Sequence, residues 1–379
     1  SRAVALAGGQ REVQRCTSAP SHVADVTRLA RILVAAQRQL AAMPTDDTTL
    51  PRAAEWFLDN FYLIRRVARQ VTHDLPSGFL ERLPQLAGGP AAGVARIDAV
   101  ARATGTPDSK QLQRAALQEF VRAYQDVSPL TIAELWALPT MLRISVLHGL
   151  LHFLQELHVP VHGRRERARS QRAPPDAEPF GLGPGDGVER SIRALRLLAE
   201  IDWKAFFEKT NRVEAILRRD PARIYERMDF ATCDAYRKTV EKLAWATGTA
   251  EEDVAERVVE LARQHAPDPR CGHVGYYLLN GGRRVLEDQL GYRPRGVERV
   301  RRALTRRPTL TYLLALALLT GGPLLALGWD LARAGARPSS VAVSVVLAIV
   351  PASIVAVTVL QWALARLLPP HALPKLDFT

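Results

Sequence analysis

The segment HGLLHFLQELHVPVH sets His148, His152 and Glu156 four residues apart, which on a helix places all three on one face at a spacing that could hold a divalent metal. Such a site needs a further strong ligand set, and none stands nearby, so ordinary surface or packed histidines are expected. Cys271 and His273 are close together but lack a second ligand pair. The stretch GLGPGDG departs from G-x-G-x-x-G, carries a proline and follows no strand, so it reads as loop rather than phosphate cradle. There is no G-x-x-x-x-G-K-[ST], no G-x-S-x-G, and no Asp-x-Asp to hold a metal with a nucleotide diphosphate. Asp46-Asp47 and Glu251-Glu252-Asp253 fall at a turn and at a helix start, where solvation and the helix dipole account for them. No catalytic, cofactor-binding or metal-ligating residue is assigned, and no cofactor is expected in this chain.

Composition points to a partner of another kind. The formal net charge is +12, and only six of the 51 basic residues are lysine. Arginine excess over an alanine- and leucine-rich background is what a GC-rich genome produces, which discounts charge as a sign of nucleic acid. DWKAFFEKTNR mixes aromatic and basic residues, but at amphipathic spacing with acids interleaved, so nucleic acid is not an expected partner. Three well-separated cysteines, Cys16, Cys233 and Cys271, suggest reduced thiols. The first residue is Ser1 and its neighbours lack the apolar core of a signal peptide, so the chain is expected to start inside a longer protein.

Two runs, Leu310 to Leu331 and Val341 to Leu364, are apolar throughout and free of charge until Asp330. About 20 helical residues cover a hydrocarbon layer of roughly 30 Å, so each run can cross a bilayer. Pro323 and Pro351 are tolerable there, because neighbours re-satisfy the freed carbonyls. Arg293, Arg295, Arg299, Arg301, Arg302, Arg306 and Arg307 precede the first run, against Arg333 and Arg337 in the connection. By the positive-inside rule the amino-terminal region is cytoplasmic, the connection is outside, and the tail returns inside. Trp329 and Trp362 are expected at the two interfaces. The bilayer is therefore the expected partner, and anchoring the expected task.

From Ser21 to about Leu290 apolar residues recur at helical spacing, with no convincing alternating run, so the fold class is all-α: a helical cytoplasmic region followed by a two-helix transmembrane hairpin. Pro51 should open a helix striped by Phe57, Leu58, Phe61, Ile64, Val67 and Val71. Thr131 with Glu134 and Thr249 with Glu252 fit capping boxes, Asp220-Pro221 should cap RIYERM, Pro139 should kink or restart its helix, and Gly248 should stop another. The expected organisation is a disordered start (1–20), a first helical unit (21–160), an Arg/Pro/Gly-rich linker (161–187), a second helical unit (188–292), a basic juxtamembrane segment (293–309), transmembrane helices at 310–331 and 341–364, and a cytoplasmic tail (365–379).

At PRAAEWFLDNFYLIRRVARQVTHDLPSGFLERLPQL the chain resembles the amino-terminal region of cyclic β-1,2-glucan synthases, of the glycosyltransferase family 84 and glycoside hydrolase family 94 type. The resemblance continues through EFVRAYQDVSPLTIAELWALPTMLRI, DPARIYERMDFATCDAYRKTVEKLA and HVGYYLLNGGRRVLEDQL to the closing LPKLDF. Departures are LAGGPAAGVARIDAVARATG and the histidine-rich LHGLLHFLQEL. The resemblance implies a large bacterial inner-membrane protein that builds a β-1,2 chain from UDP-glucose and closes it into a ring. It also implies that the catalytic residues belong to a glycosyltransferase domain and a phosphorylase-like region beyond Thr379, so none is carried onto these positions, and that the downstream domain is a partner in the same polypeptide. A different reading is a complete membrane-tethered helical adaptor without enzymatic activity, binding another protein around Trp56, Phe57 and Trp136. A small transporter is disfavoured, since apart from the terminal Asp330 the two spans carry no polar residue beyond Ser, Thr, Tyr312 and Gln361.

Overall fold

A computed structural model describes residues 2–10, 13–14, 22–42, 52–74, 79, 82–88, 91–105, 112–156, 184–266, 268, 270–294 and 296–367. The chain divides into two compact units, Ser1–Glu226 with Cys233–Leu286, and Arg227–Thr232 with Glu287–Thr379. In chain order the elements are α1 (Arg2–Gly9), β1 (Val13–Gln14), α2 (His22–Ala41), α3 (Arg52–Asp59), α4 (Phe61–Asp74), β2 (Gln85–Leu86), α5 (Arg96–Thr104), α6 (Arg114–Gln125) and α7 (Ile132–Glu156). There follow α8 (Pro184–Glu200), α9 (Trp203–Thr210), α10 (Arg212–Leu217), a 3-10 turn (Tyr225–Arg227), α11 (Phe230–Thr247), α12 (Glu251–Gln264), α13 (Val274–Leu279) and α14 (Arg283–Gln289). The last three are α15 (Val297–Arg306), α16 (Pro308–Arg333) and α17 (Pro338–Leu367).

The first unit is built around α7. A helix apolar around most of its girth must be covered there; α2, α4, α5, α8 and α9 all pack on it, and Leu138, Met141, Leu142, Leu147, Leu150 and Leu154 are buried, while His148 and His152 stay exposed. Thr131 and Glu134 form the expected capping box: the Glu134 N–H donates to Thr131 Oγ1 at 3.2 Å, and the Thr131 N–H donates to Glu134 Oε2 at 2.8 Å. Pro139 neither ends nor restarts α7. Its ring removes the donor that would reach the Leu135 carbonyl, and packing on both sides holds the helix together.

Several boundaries differ from the sequence reading. The expected disordered start contains α1, whose Ala3 and Ala7 are buried, and Tyr124 Oη donates to Gln10 Oε1 at 2.8 Å beyond its end. Strands β1 and β2 pair antiparallel, Val13 with Leu86 and Gln14 with Gln85, a small addition to a mostly helical fold that agrees with the expected all-α class. Two residues per strand give no readable alternation. The helix expected after Pro51 is two helices, broken at Asn60, whose Nδ2 donates to the Trp56 carbonyl at 2.8 Å and whose Oδ1 takes a hydrogen bond from Arg196. Phe57, Ile64, Val67 and Val71 of the predicted stripe are buried.

The expected linker lies largely outside the described residues, but its last four, Pro184 to Gly187, open α8. Proline in a first turn followed by Asp186 suits a helix start. Helix α8 buries Val188, Ile192, Leu195 and Leu198 and packs on α7, α3 and α4, and most of both predicted helical units falls in one compact unit. Gly187 makes this approach possible, since a Cβ there would strike the Phe153 ring. Gly248, at φ +78°, follows the end of α11 as expected. The second capping box does not form: Ala250 is the N-cap of α12, with no side-chain cap, and Thr249 bonds to Thr247. Asp220 caps the 3-10 turn, its Oδ2 accepting from the N–H groups of Ile224 and Tyr225 at 3.0 and 3.2 Å.

Candidate membrane-anchoring site

In the second unit α16 and α17 pack against each other along a hairpin turned by Ala334–Arg337, with Gly335 at φ +78°. Their 26 and 30 residues extend beyond the predicted spans at both ends. At 1.5 Å per residue they measure about 39 and 45 Å, enough for a hydrocarbon core of roughly 30 Å. No residue of α16 is buried, and Leu318, Leu325 and Leu347 are each more than 70% exposed. Apolar surface of that extent marks contact with something other than water. The two helices come close at Gly328, where an added Cβ would lie 3.5 Å from Val345 Cγ2, a small-residue approach suited to helix pairing in lipid.

Among the described residues three helices are long and apolar enough to cross a membrane: α7, α16 and α17. The apolar stretch of α7 is 72% buried, against 0% and 11% for the other two. Helix α7 also carries charges held inside the unit. Arg96 donates Nε and Nη2 to the two oxygens of Glu134 at 2.8 and 2.5 Å, with further bonds to Ser128 Oγ and the Pro129 carbonyl at 2.8 Å. Its apolar length is therefore spent on the core of its own unit.

The approach to α16 is basic. Arg299, Arg301, Arg306 and Arg307 are exposed, and α15 joins α16 through Arg307 alone. Arg302 is held differently. It donates to Glu287 at 2.6 and 2.8 Å and to Glu298 at 2.6 Å, and its guanidinium lies 5.7 Å from the Tyr292 ring centroid. Hydrogen bonds to Glu287 hold its pKa above the usual guanidinium range. At the far ends of the hairpin, Arg333 lies over Trp329 at 5.0 Å and Arg366 over Trp362 at 5.1 Å. Because α17 runs back, the two pairs mark opposite ends of the hairpin.

The chemical candidates do not assemble. His152 Nε2 lies 3.2 Å from Glu156 Oε1 on an exposed face with His148, and among the described residues no three His, Cys, Asp or Glu side chains gather as metal ligands. His273 caps α13, its Nδ1 accepting from the Gly275 N–H at 2.8 Å; burial lowers its pKa, so the ring is a neutral cap. Asp46 and Asp47 lie outside the described residues. Of the surface suggested for an adaptor, Phe57 is fully buried, Trp56 is half-buried, and Trp136 stacks on Phe207 at 4.6 Å while remaining partly exposed.

Sequence reasoning missed a buried polar cluster around Glu214. Arg237 Nη1 and Tyr225 Oη both donate to Glu214 Oε2 at 2.7 Å, and Arg218 Nε donates to Oε1 at 2.8 Å. Burial pushes the Cys233 thiol up to about 11 and the Tyr236 phenol up to about 12, so neither supplies an anion at neutral pH. The cluster is a structural tie. A shallow depression beside it, lined by Arg218, Arg219, Asp220, Pro221, Arg223 and Glu226, has its first three charges engaged by Glu214, Glu256 and the N–H groups of Ile224, Tyr225 and Val274.

Fold and site together define a predominantly helical protein that carries an exposed apolar hairpin behind an arginine-rich approach. No family model matches the chain. It is similar to the cyclic beta-(1,2)-glucan synthase NdvB of Rhizobium meliloti (strain 1021), 25% identical over 328 residues that take in 68% of this chain and 11% of that protein. The chain thus spans about a ninth of the length of the curated relative it matches. That similarity supports a relationship to the glucan synthase.

Proposed function

We propose that this chain is the amino-terminal, membrane-anchoring region of a cyclic β-1,2-glucan synthase. The observation that carries the reading is the similarity to the synthase over 68% of the chain, in a protein with two exposed helices of bilayer-spanning length. The hairpin crosses the bacterial inner membrane twice, and the arginines before α16 keep the amino-terminal unit cytoplasmic. Glucosyl transfer from UDP-glucose and ring closure are the work of domains downstream of Thr379. The region described here fixes those domains against the bilayer.

The test is to read the coding DNA past the codon for Thr379 and to assay membranes, with and without the intact gene, for glucan made from labelled UDP-glucose. A continuing frame that encodes a glycosyltransferase, with β-1,2-glucan synthesis lost on deletion, is the expected result. A stop codon at that point with synthesis unchanged on deletion contradicts it.

A further inference from the structure

We infer that α15 is an amphipathic helix lying in the bilayer interface, its apolar face in the acyl boundary and its arginines on anionic headgroups. The inference rests on the hairpin reading and adds a second mode of lipid contact, selective for anionic lipid. Val300 and Leu304 stand one turn apart on the same face, 59% and 44% exposed. At 100° per residue, Arg299, Arg302 and Arg306 fall on the opposite face.

Two observations say what covers the apolar face. The first is continuity. Helix α15 packs on the start of α16, and Thr311 Oγ1 donates to the Leu304 carbonyl at 3.0 Å, so Leu304 sits where the lipid-facing surface of α16 begins. The second is charge. Residues 293–309 hold seven arginines against the single acid Glu298, and Glu298 already bonds to Arg302 and Tyr292. Glu287, near the end of α14, is likewise bonded to Arg302. Arg299, Arg306 and Arg307 stay exposed on the rest of the segment. A basic polar face behind an exposed apolar stripe fits the headgroup–acyl boundary of an anionic leaflet.

The test uses the full chain with its cysteines replaced by alanine, a fluorophore on Val300→Cys, and vesicles of phosphatidylcholine alone or mixed equally with phosphatidylglycerol. Nitroxide lipid and aqueous iodide are the quenchers. In the mixed vesicles nitroxide should quench the label and iodide should not. Combining Arg299→Gln, Arg306→Gln and Arg307→Gln should return the label to iodide, since each basic residue near an anionic surface is worth roughly fivefold in occupancy. Quenching by iodide in both lipids overturns the inference, and so does shielding from both quenchers, which means that protein covers the face. A parallel label on Leu318→Cys separates the two readings. If nitroxide quenches it while Val300→Cys stays in water, the interfacial helix fails and the hairpin stands; if nitroxide misses both, the hairpin fails too.

Discussion

The guanidinium of Arg333 lies 5.0 Å from the ring centroid of Trp329, one turn ahead of it on α16. A tryptophan at the hydrocarbon edge under an arginine that reaches for headgroups fixes the depth of a helix end. Trp329→Leu should let this end slide inward. Exposed cation–π contacts are worth ~0.5–1 kcal/mol, so the labelling rate of Ala332→Cys should fall roughly two- to fivefold. An unchanged rate would remove Trp329 from any positioning role.

Arg96 and Glu134 are 4% and 0% exposed, and each answers the other's charge. Arg96→Ala leaves a buried carboxylate without its partner and should cost about 3–5 kcal/mol, read as a lower midpoint of unfolding by circular dichroism in detergent. The double variant Arg96→Met, Glu134→Gln, which removes both charges and keeps an acceptor for the Thr131 N–H, should recover most of that loss. A double variant as unstable as the single one would show that the pair's packing, not its charge, is what matters.

Glu251 caps a helix other than its own: its Oε2 accepts from the Ile132 N–H at 2.8 Å. Burial pushes its pKa up to about 8 from 4.5, against the opposing pull of that hydrogen bond. The folded state therefore holds the proton more tightly than the unfolded chain. Its stabilising share is complete below about pH 4.5 and is lost as pH rises through about 8. Unfolding midpoints of wild type and Glu251→Gln, measured across this range, should diverge with the variant gaining at high pH. Parallel pH profiles are the contrary result.

Gly187→Ala should push Phe153 off its seat between α7 and α8, costing about 1–3 kcal/mol. Thermal melting of the variant beside Gly149→Ala, where an added methyl meets nothing within 4 Å, separates the clash from the general effect of losing a glycine. Equal shifts for the two would contradict the packing account.

What the sequence showed was local. Thr131 and Glu134 are three residues apart, and their capping box was readable; Arg96, which completes the site, stands 38 residues from Glu134, and nothing in the spacing joins them. The hairpin was readable because an uninterrupted apolar run needs no partner to be recognised. Helix α7 reaches a similar length, and only the helices folded around it show that its apolar residues form a core. The strand pair failed for a related reason, since Val13 and Leu86 meet across 73 positions in an element too short to show a period. Thr249 misled because a favourable local motif lost to Thr247, whose hydroxyl already occupied it.

The most direct test of the anchoring account is maleimide labelling in intact cells, using a membrane-impermeant reagent on cysteine-free protein carrying either Ala336→Cys in the hairpin turn or Gln264→Cys on the exposed face of α12. The account predicts that Ala336→Cys reacts from outside while Gln264→Cys reacts only after the inner membrane is permeabilised. Equal reaction of the two in intact cells, or reaction of Gln264→Cys alone, would contradict a hairpin that crosses the membrane with its amino-terminal unit in the cytoplasm.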